Sequence, residues 1–204
     1  MKPGHALPAL AVLLLGLGAC TAASPGPAAA PDAPMTVESF DGPRLAREIF
    51  RETNRVRAQY GLPPLDPEAA LDAAADEQTV HIALIGAVEH SNPVPGQHTA
   101  QDRVLRVGAD PEAIAENAIM EPAVHPRGST EPPYTYVGYA AFLVDAWMKS
   151  PGHRANILSP GVTEMGCAAR LGRGPLRGDF RVYADQVFIR AREPGTVGPQ
   201  RSVP

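Results

Sequence analysis

The chain is expected to fold as an α+β domain, because two periodicities divide it. Apolar residues recur every three to four positions in four stretches between residues 45 and 149, and beyond Gly161 the repeat shortens to two. Gly172, Gly174, Pro175 and Gly178 separate two period-two runs in the manner of a hairpin connection. Helices followed by an antiparallel hairpin form layers around a shared core.

The first helix carries Leu45, Ile49, Thr53, Val56 and Tyr60 at helical spacing, and Gly61 with Pro63 and Pro64 ends it. The second is announced by Asp66 as cap and Pro67 at the first position. Its inward stripe is Leu71, Ala74, Ala75, Gln78, Ile82 and Ile85, closing near Gly86. Thr99 and Asp102 have the spacing of a capping box for a short helix through Val104, Leu105 and Val107 that stops at Gly108. A fourth helix over about 136–149 aligns Val137, Ala141, Val144 and Met148, with Trp147 beside that stripe as a core anchor. Pro151 then forbids continuation and can begin a new turn capped by Ser150, which puts His153 on a rigid corner. Strands follow at about 162–170 and 179–190. In the first, Met165, Cys167 and Ala169 share one face, so Cys167 reads as a small buried apolar residue.

The ends differ in composition from this core. Lys2 precedes an apolar run, Leu7 to Leu17, that is too short to span a membrane and suits a signal peptide over residues 1–19. Leu17-Gly18-Ala19-Cys20 resembles a bacterial lipobox, which implies cleavage before Cys20 and lipidation of its thiol. Residues 20–40 then form a lipidated cysteine and an Ala/Pro-rich tether, a composition that buries little apolar surface. The folded domain is assigned to residues 41–192 and a frayed tail to 193–204. Cys20 and Cys167 are the two cysteines, so acylation of the first leaves no intramolecular disulfide in the mature chain. A formal net charge of −4, one unit more negative once Lys2 is removed, excludes the basic face of a nucleic-acid binder. Aromatic residues, 5% of the chain, are too sparse to favour an extended carbohydrate-stacking cleft.

One ordered set of short motifs narrows the reading. It comprises Asn54-Arg55, Tyr60-Gly61-Leu62 with Leu65, His90-Ser91, Asp102-Arg103, Glu116-Asn117, the block from Trp147 to Leu158, Glu164-Met165-Gly166 and Gln186-Val187-Phe188. In this order and spacing, over roughly residues 44–190, the chain resembles the CAP superfamily of SCP-like, pathogenesis-related-1-like domains, in its short bacterial branch. The resemblance implies a three-layer α-β-α sandwich with an antiparallel sheet, and a cleft lined by two histidines and two acidic residues. His90, Glu116 and His153 match three of those places. The fourth carries Ser150 where other relatives have glutamate, and Glu164, on the adjoining strand, is the candidate substitute.

Two imidazoles and a carboxylate suit a divalent cation such as Zn²⁺ with open positions, or general acid-base chemistry. His90, Glu116 and His153 are thus candidate metal ligands and candidate catalytic residues, while His90, Glu116, His153 and Glu164 are candidate cleft residues. No HExxH, no GxSxG and no catalytic cysteine accompany them. The leading expectation is a lipid-anchored, monomeric, extracytoplasmic protein of the cell envelope, at the outer membrane or cell surface. It binds a lipid, peptide or cell-wall ligand without turnover. The alternative is a metal-dependent, protease-like hydrolase using the same cluster, and a third reading makes the cluster a polar network that holds helices on the sheet. Asn117 and Asn156 are assigned to that scaffold, Arg154 to a surface ion pair, and His81 to a helix surface or core edge. The Pro-rich loop from Glu121 to Pro133 is long enough either to cover a binding surface or to be a plain insertion.

Overall fold

The computed structural model describes Met1, Asp32, residues 34–174, Leu176 and residues 178–192. The signal-peptide, lipidation and tail assignments, including Cys20, lie outside the described residues.

Asp41 caps the first helix, α1 (Gly42–Gln59), by accepting the Arg44 amide, and the stripe Leu45, Ile49, Thr53 and Val56 is buried as the spacing requires. Tyr60, placed on the same stripe by its spacing, lies beyond the end of the helix and is exposed. Residues 34–40, assigned to the tether from composition, belong to the packed body: Met35 is buried and its amide donates to the Tyr134 carbonyl.

The second helix begins later than its sequence signal suggested. Asp66 and Pro67 form a two-residue strand, β1 (Asp66–Pro67), paired parallel with Glu164 and Met165, and Glu68 caps α2 (Ala69–Ile85). Pro67 can serve at a strand edge as readily as at a first helical turn, and pairing with a distant segment decides between the two. Leu71, Ala74, Ala75, Gln78 and Ile82 are buried, whereas Ile85 at the helix end is exposed. The capping box of Thr99 and Asp102 opens α3 (Ala100–Arg106).

A ten-residue strand follows, β2 (Ala113–Pro122), which sequence periodicity did not reveal. Helix α4 (Tyr136–Lys149) buries Tyr136, Tyr139, Ala140, Leu143, Val144 and Trp147. Its core face is therefore rotated from the expected stripe: Val137 is exposed and Ala141 and Met148 are half-buried, while Trp147 is the anchor. Ser150 holds the cap position of α5 (Pro151–Ile157) without a side-chain bond, so Pro151 alone sets the corner. Strands β3 (Glu164–Arg173) and β4 (Phe180–Arg190) form the expected hairpin.

The four-stranded sheet has the order β1-β3-β4-β2, antiparallel except for the short parallel β1 pairing. Alternation sends Met165, Cys167, Ala169, Ala184 and Phe188 into a core shared with α1 and α4. The opposite face sends Ala168, Val187 and Ile189 against Leu71, Ala74 and Ala75 of α2 and Val104 of α3. These are the three layers of the expected sandwich. Gly166 permits the closest approach, since a Cβ there would lie 2.2 Å from the Leu71 carbonyl carbon. A buried Arg57 guanidinium ties the ends of α1 and α5 by donating to the carbonyls of Pro63, Ile157 and Ser159 at 3.1, 2.8 and 2.9 Å.

Candidate functional site

Strand β2 is the outermost strand of its side, and α5 packs along it. The Asn156 amide donates to the Glu116 carbonyl at 3.2 Å and to the Asn117 side-chain oxygen at 2.8 Å. Asn117, fully buried, donates to the His153 carbonyl at 3.2 Å and to Gln186 at 3.1 Å, and Gln186 donates to the Thr53 hydroxyl of α1 at 2.7 Å. This chain of amides welds the helix corner to the sheet, which is the scaffold role expected of both asparagines.

Alternation along β2 sends Glu116 to the opposite face from Asn117. There His90 Nδ1 lies 2.7 Å from one carboxylate oxygen, Oε1, and the Arg103 guanidinium of α3 donates to the other, Oε2. Arg103 and Glu116 expose 0% and 4% of their side chains, so the pair is sealed, whereas His90 exposes 59%. The Glu116 bond fixes the His90 ring and leaves Nε2 without a partner among the described residues. That bond, reinforced by the Glu116 charge, raises the His90 pKa against the opposing effects of burial and Arg103. Burial, with the His90 charge second, lowers the His153 pKa. The two rings are thus pushed in opposite directions, His90 up and His153 down.

An open hollow of about 500 Å³ adjoins this cluster, lined by His90, Ser91, His98, Thr99, Ala115 and Glu116 among others. His153 is not part of its lining. The structure therefore joins His90 to Glu116, ties the His153 backbone to the next residue of β2, Asn117, and leaves Glu164 elsewhere. Glu164 pairs with Ile189 across the β3-β4 ladder beside Asp66 and Glu68, whose charges join burial in raising its pKa. Its place on the far side of β4 removes it from the cleft.

Sequence reasoning quoted Arg103 without giving it a role and missed Asp185. Asp185, on β4, is fully buried with both carboxylate oxygens unpartnered, and burial, then the Glu116 charge, pushes its pKa well up. A carboxylate set among Val182, Ala184, Val187 and Phe188 in the strand was the signal available. Arg154, assigned to an acid, instead stacks over the Tyr60 ring with its guanidinium carbon 5.0 Å from the centroid. His81 is a core-edge residue, 2.6 Å from Glu89. His125, in the Pro-rich loop, stacks on Tyr134 at 3.8 Å.

The donor set does not suit a metal ion. The facing atoms of His90 and Glu116 are engaged with each other, the remaining Glu116 oxygen is held by Arg103, and that guanidinium brings positive charge to the spot a cation would need. Among the described residues, no group of three or more His, Cys, Asp or Glu side chains could hold one. What the arrangement offers is a rigidly held imidazole that can give or take a proton, or bond a ligand oxygen, at Nε2.

Comparison with known proteins gives consistent matches. The model of CAP, the cysteine-rich secretory protein family, matches residues 50–175. "Uncharacterized protein YkwD" of Bacillus subtilis (strain 168) is 27% identical over 134 residues, which cover 66% of this chain and 44% of that protein. The crystal structure of an extracellular protein containing a SCP domain from Bacillus anthracis str. Ames superposes with a TM-score of 0.54 at 23% identity, covering 78% of this chain and 45% of that one. An outer surface protein from Borrelia burgdorferi gives 0.54 at 14% identity, covering 75% of this chain and 97% of that one. The chain spans less than half the length of the two Bacillus proteins, and the structural likenesses establish the fold.

Proposed function

Starting from a chain that belongs to the cysteine-rich secretory protein family, we propose an extracytoplasmic protein, anchored through lipid on Cys20, whose cleft at His90, Glu116 and His153 binds an envelope ligand or partner without chemical turnover. The observation that carries this reading is the engagement of both Glu116 oxygens, one by His90 and one by buried Arg103. A carboxylate so neutralised serves to aim His90 and is poorly placed to act as a base or to hold a metal. The extracellular and outer-surface descriptions of the two structural relatives support the location, and the lipobox-like residues before Cys20 support the anchor.

The ligand group that fits is one able to bond His90 Nε2, which accepts from a hydroxyl or amide N–H of a peptide or cell-wall fragment while the ring is neutral and donates to a carbonyl or carboxylate once the ring is protonated. Calorimetric titration of Zn²⁺ into the full chain, beside the double variant His90→Ala/His153→Ala, tests the metal-free reading. Equal heats from parent and variant are expected. Saturable micromolar binding lost in the variant, together with peptide hydrolysis lost with it, would instead establish a metal-dependent hydrolase. Mass spectrometry of the envelope protein tests the anchor, since an unmodified amino terminus at any residue other than Cys20 overturns it.

A further inference from the structure

The opposite edge of the sheet carries a second opening. Strand β1 covers β3 only at Glu164 and Met165, so from Gly166 onward β3 has no strand neighbour on that side. A groove of about 680 Å³ lies there between α1 and α2, with a mostly apolar floor that includes Cys167, Ala168 and Ala169. The Cys167 amide leaves the ladder to donate to the Asp72 side chain at 2.8 Å. Strand alternation therefore directs the Cys167 carbonyl and the Ala169 amide into the groove as well. Farther along, Gly42 sits against the Ala169 carbonyl, where a Cβ would come within 2.3 Å of the oxygen. Between the Asp72 plug and the Gly42 plug, the edge presents one acceptor and one donor.

The walls carry opposite charge. Arg47 and Arg51 project from α1, Arg47 having no partner among the described residues and Arg51 an exposed pairing with Glu48; Asp72 and Asp76 line the α2 side, Asp76 in an exposed pairing with Arg170 at 2.8 Å that a peptide cation would have to share or displace. Ala168 faces α2, while Cys167 and Ala169 face α1. A peptide residue seated opposite Ala168 would also face α2, and its two neighbours would face α1.

We propose that this groove binds a short extended peptide by strand addition, with a basic residue opposite Ala168 flanked by acidic residues. The flanking backbone groups bond the Cys167 carbonyl and the Ala169 amide, the basic side chain meets Asp72 and Asp76, and the acidic ones meet Arg47 and Arg51. The occupant is peptide because the free groups are one backbone donor and one backbone acceptor at ladder spacing, which an acyl chain would leave unpaired. This site is independent of the His90 cleft on the far side of the sheet.

The test is a titration of the isotope-labelled full chain with the blocked peptide acetyl-Glu-Lys-Glu-amide, followed by backbone amide NMR, beside acetyl-Lys-Glu-Lys-amide. The acid-base-acid peptide is expected to shift the Ala169 amide saturably and to bind at least tenfold more tightly than its charge mirror. The formal charge of −4 on the chain would by itself favour the mirror peptide. In Arg47→Glu/Arg51→Glu, two positions on the helix surface, the preference is expected to vanish while the spectrum stays folded. Equal binding of the two peptides, shifts confined to other residues, or no shift at millimolar peptide would overturn the proposal.

Discussion

Replacing Glu116 by Gln leaves Arg103 as a buried cation without its counter-charge, and the structure fixes how much that should cost. Arg103 exposes none of its side chain and retains one other bond, from Nη1 to the Gln97 carbonyl at 2.8 Å. Unit charges about 4 Å apart attract by about 4 kcal/mol at the effective dielectric of a partly buried pair, and stranding one member of such a pair costs about 3–5 kcal/mol. In a domain this size each kcal/mol moves the melting temperature by about 2–4 °C, so Glu116→Gln should melt about 6–20 °C below the parent. Asp185 moderates the loss, because the Glu116 charge that holds its pKa up is gone while Arg103 still favours its ionised form. The cost should therefore be larger at pH 5 than at pH 8, and larger again in an Asp185→Asn background. Urea denaturation at both pH values measures this, with the denaturant slope checked for constancy. Arg103→Met/Glu116→Leu should be much milder than Glu116→Gln alone, since no charge remains to be buried. A Glu116→Gln loss below about 1 kcal/mol, unchanged by Asp185→Asn, would refute the sealed-pair account.

Four further outcomes are expected. Asp185 has a folded pKa raised above the 3.8 of a free side chain, so its contribution is fully present below that value and is lost as pH rises; Asp185→Asn should match the parent near pH 4 and exceed it increasingly toward pH 8 in urea midpoint. By NMR titration His90 should ionise above the free-imidazole value and His153 below it, and Glu116→Gln should bring His90 down; the reverse order would contradict the site geometry. Because His90 is largely exposed, the stability tied to its protonation, present below pH 6.5 and lost as pH rises through its folded value, should stay well under about 1 kcal/mol. Gly166→Ala should lose about 3 kcal/mol or more in denaturant, because the new methyl meets backbone atoms of Leu71 and Asp72, whereas Gly152→Ala, with open space in α5, should gain up to about 1 kcal/mol.

The parts of the fold legible in the sequence were those where one physical signal acted alone. The α1 stripe, the capping box of α3 and the corner at Pro151 are local devices, and each formed where its residues stand. The start of α2 was misplaced because Asp66-Pro67 satisfies a helix signal locally and a parallel pairing globally. The α4 stripe was misassigned because nearly every position from Tyr136 to Trp147 is apolar, leaving periodicity with no polar face to measure against. Strand β2 escaped because Ala and Asn dilute its alternation and because it is held largely by β4 and the asparagines around α5. For the site, composition supplied the candidate residue types and the family resemblance grouped His90, Glu116 and His153. Neither could place Glu164 across the sheet from them or reveal the carboxyl of Asp185 behind Glu116, since both depend on strand register.

The Arg57 clasp has a consequence for how the cleft can open. Arg57 bonds the Ile157 carbonyl 100 positions away, so the segment between them is a closed loop, and His90, Glu116 and His153 all lie inside it. Within that loop α5 is also tied to β2 through Asn117 and Asn156. Moving the α5 corner with His153 off β2 thus requires α1 to release α5, which makes that motion a sub-global event rather than a loop fluctuation. The amides of Glu116, Asn117 and Ile157 should exchange with solvent hydrogen as one slow unit, and a ligand of the cleft must be admitted at its open rim, past His90 and Ser91, with the clasp still shut.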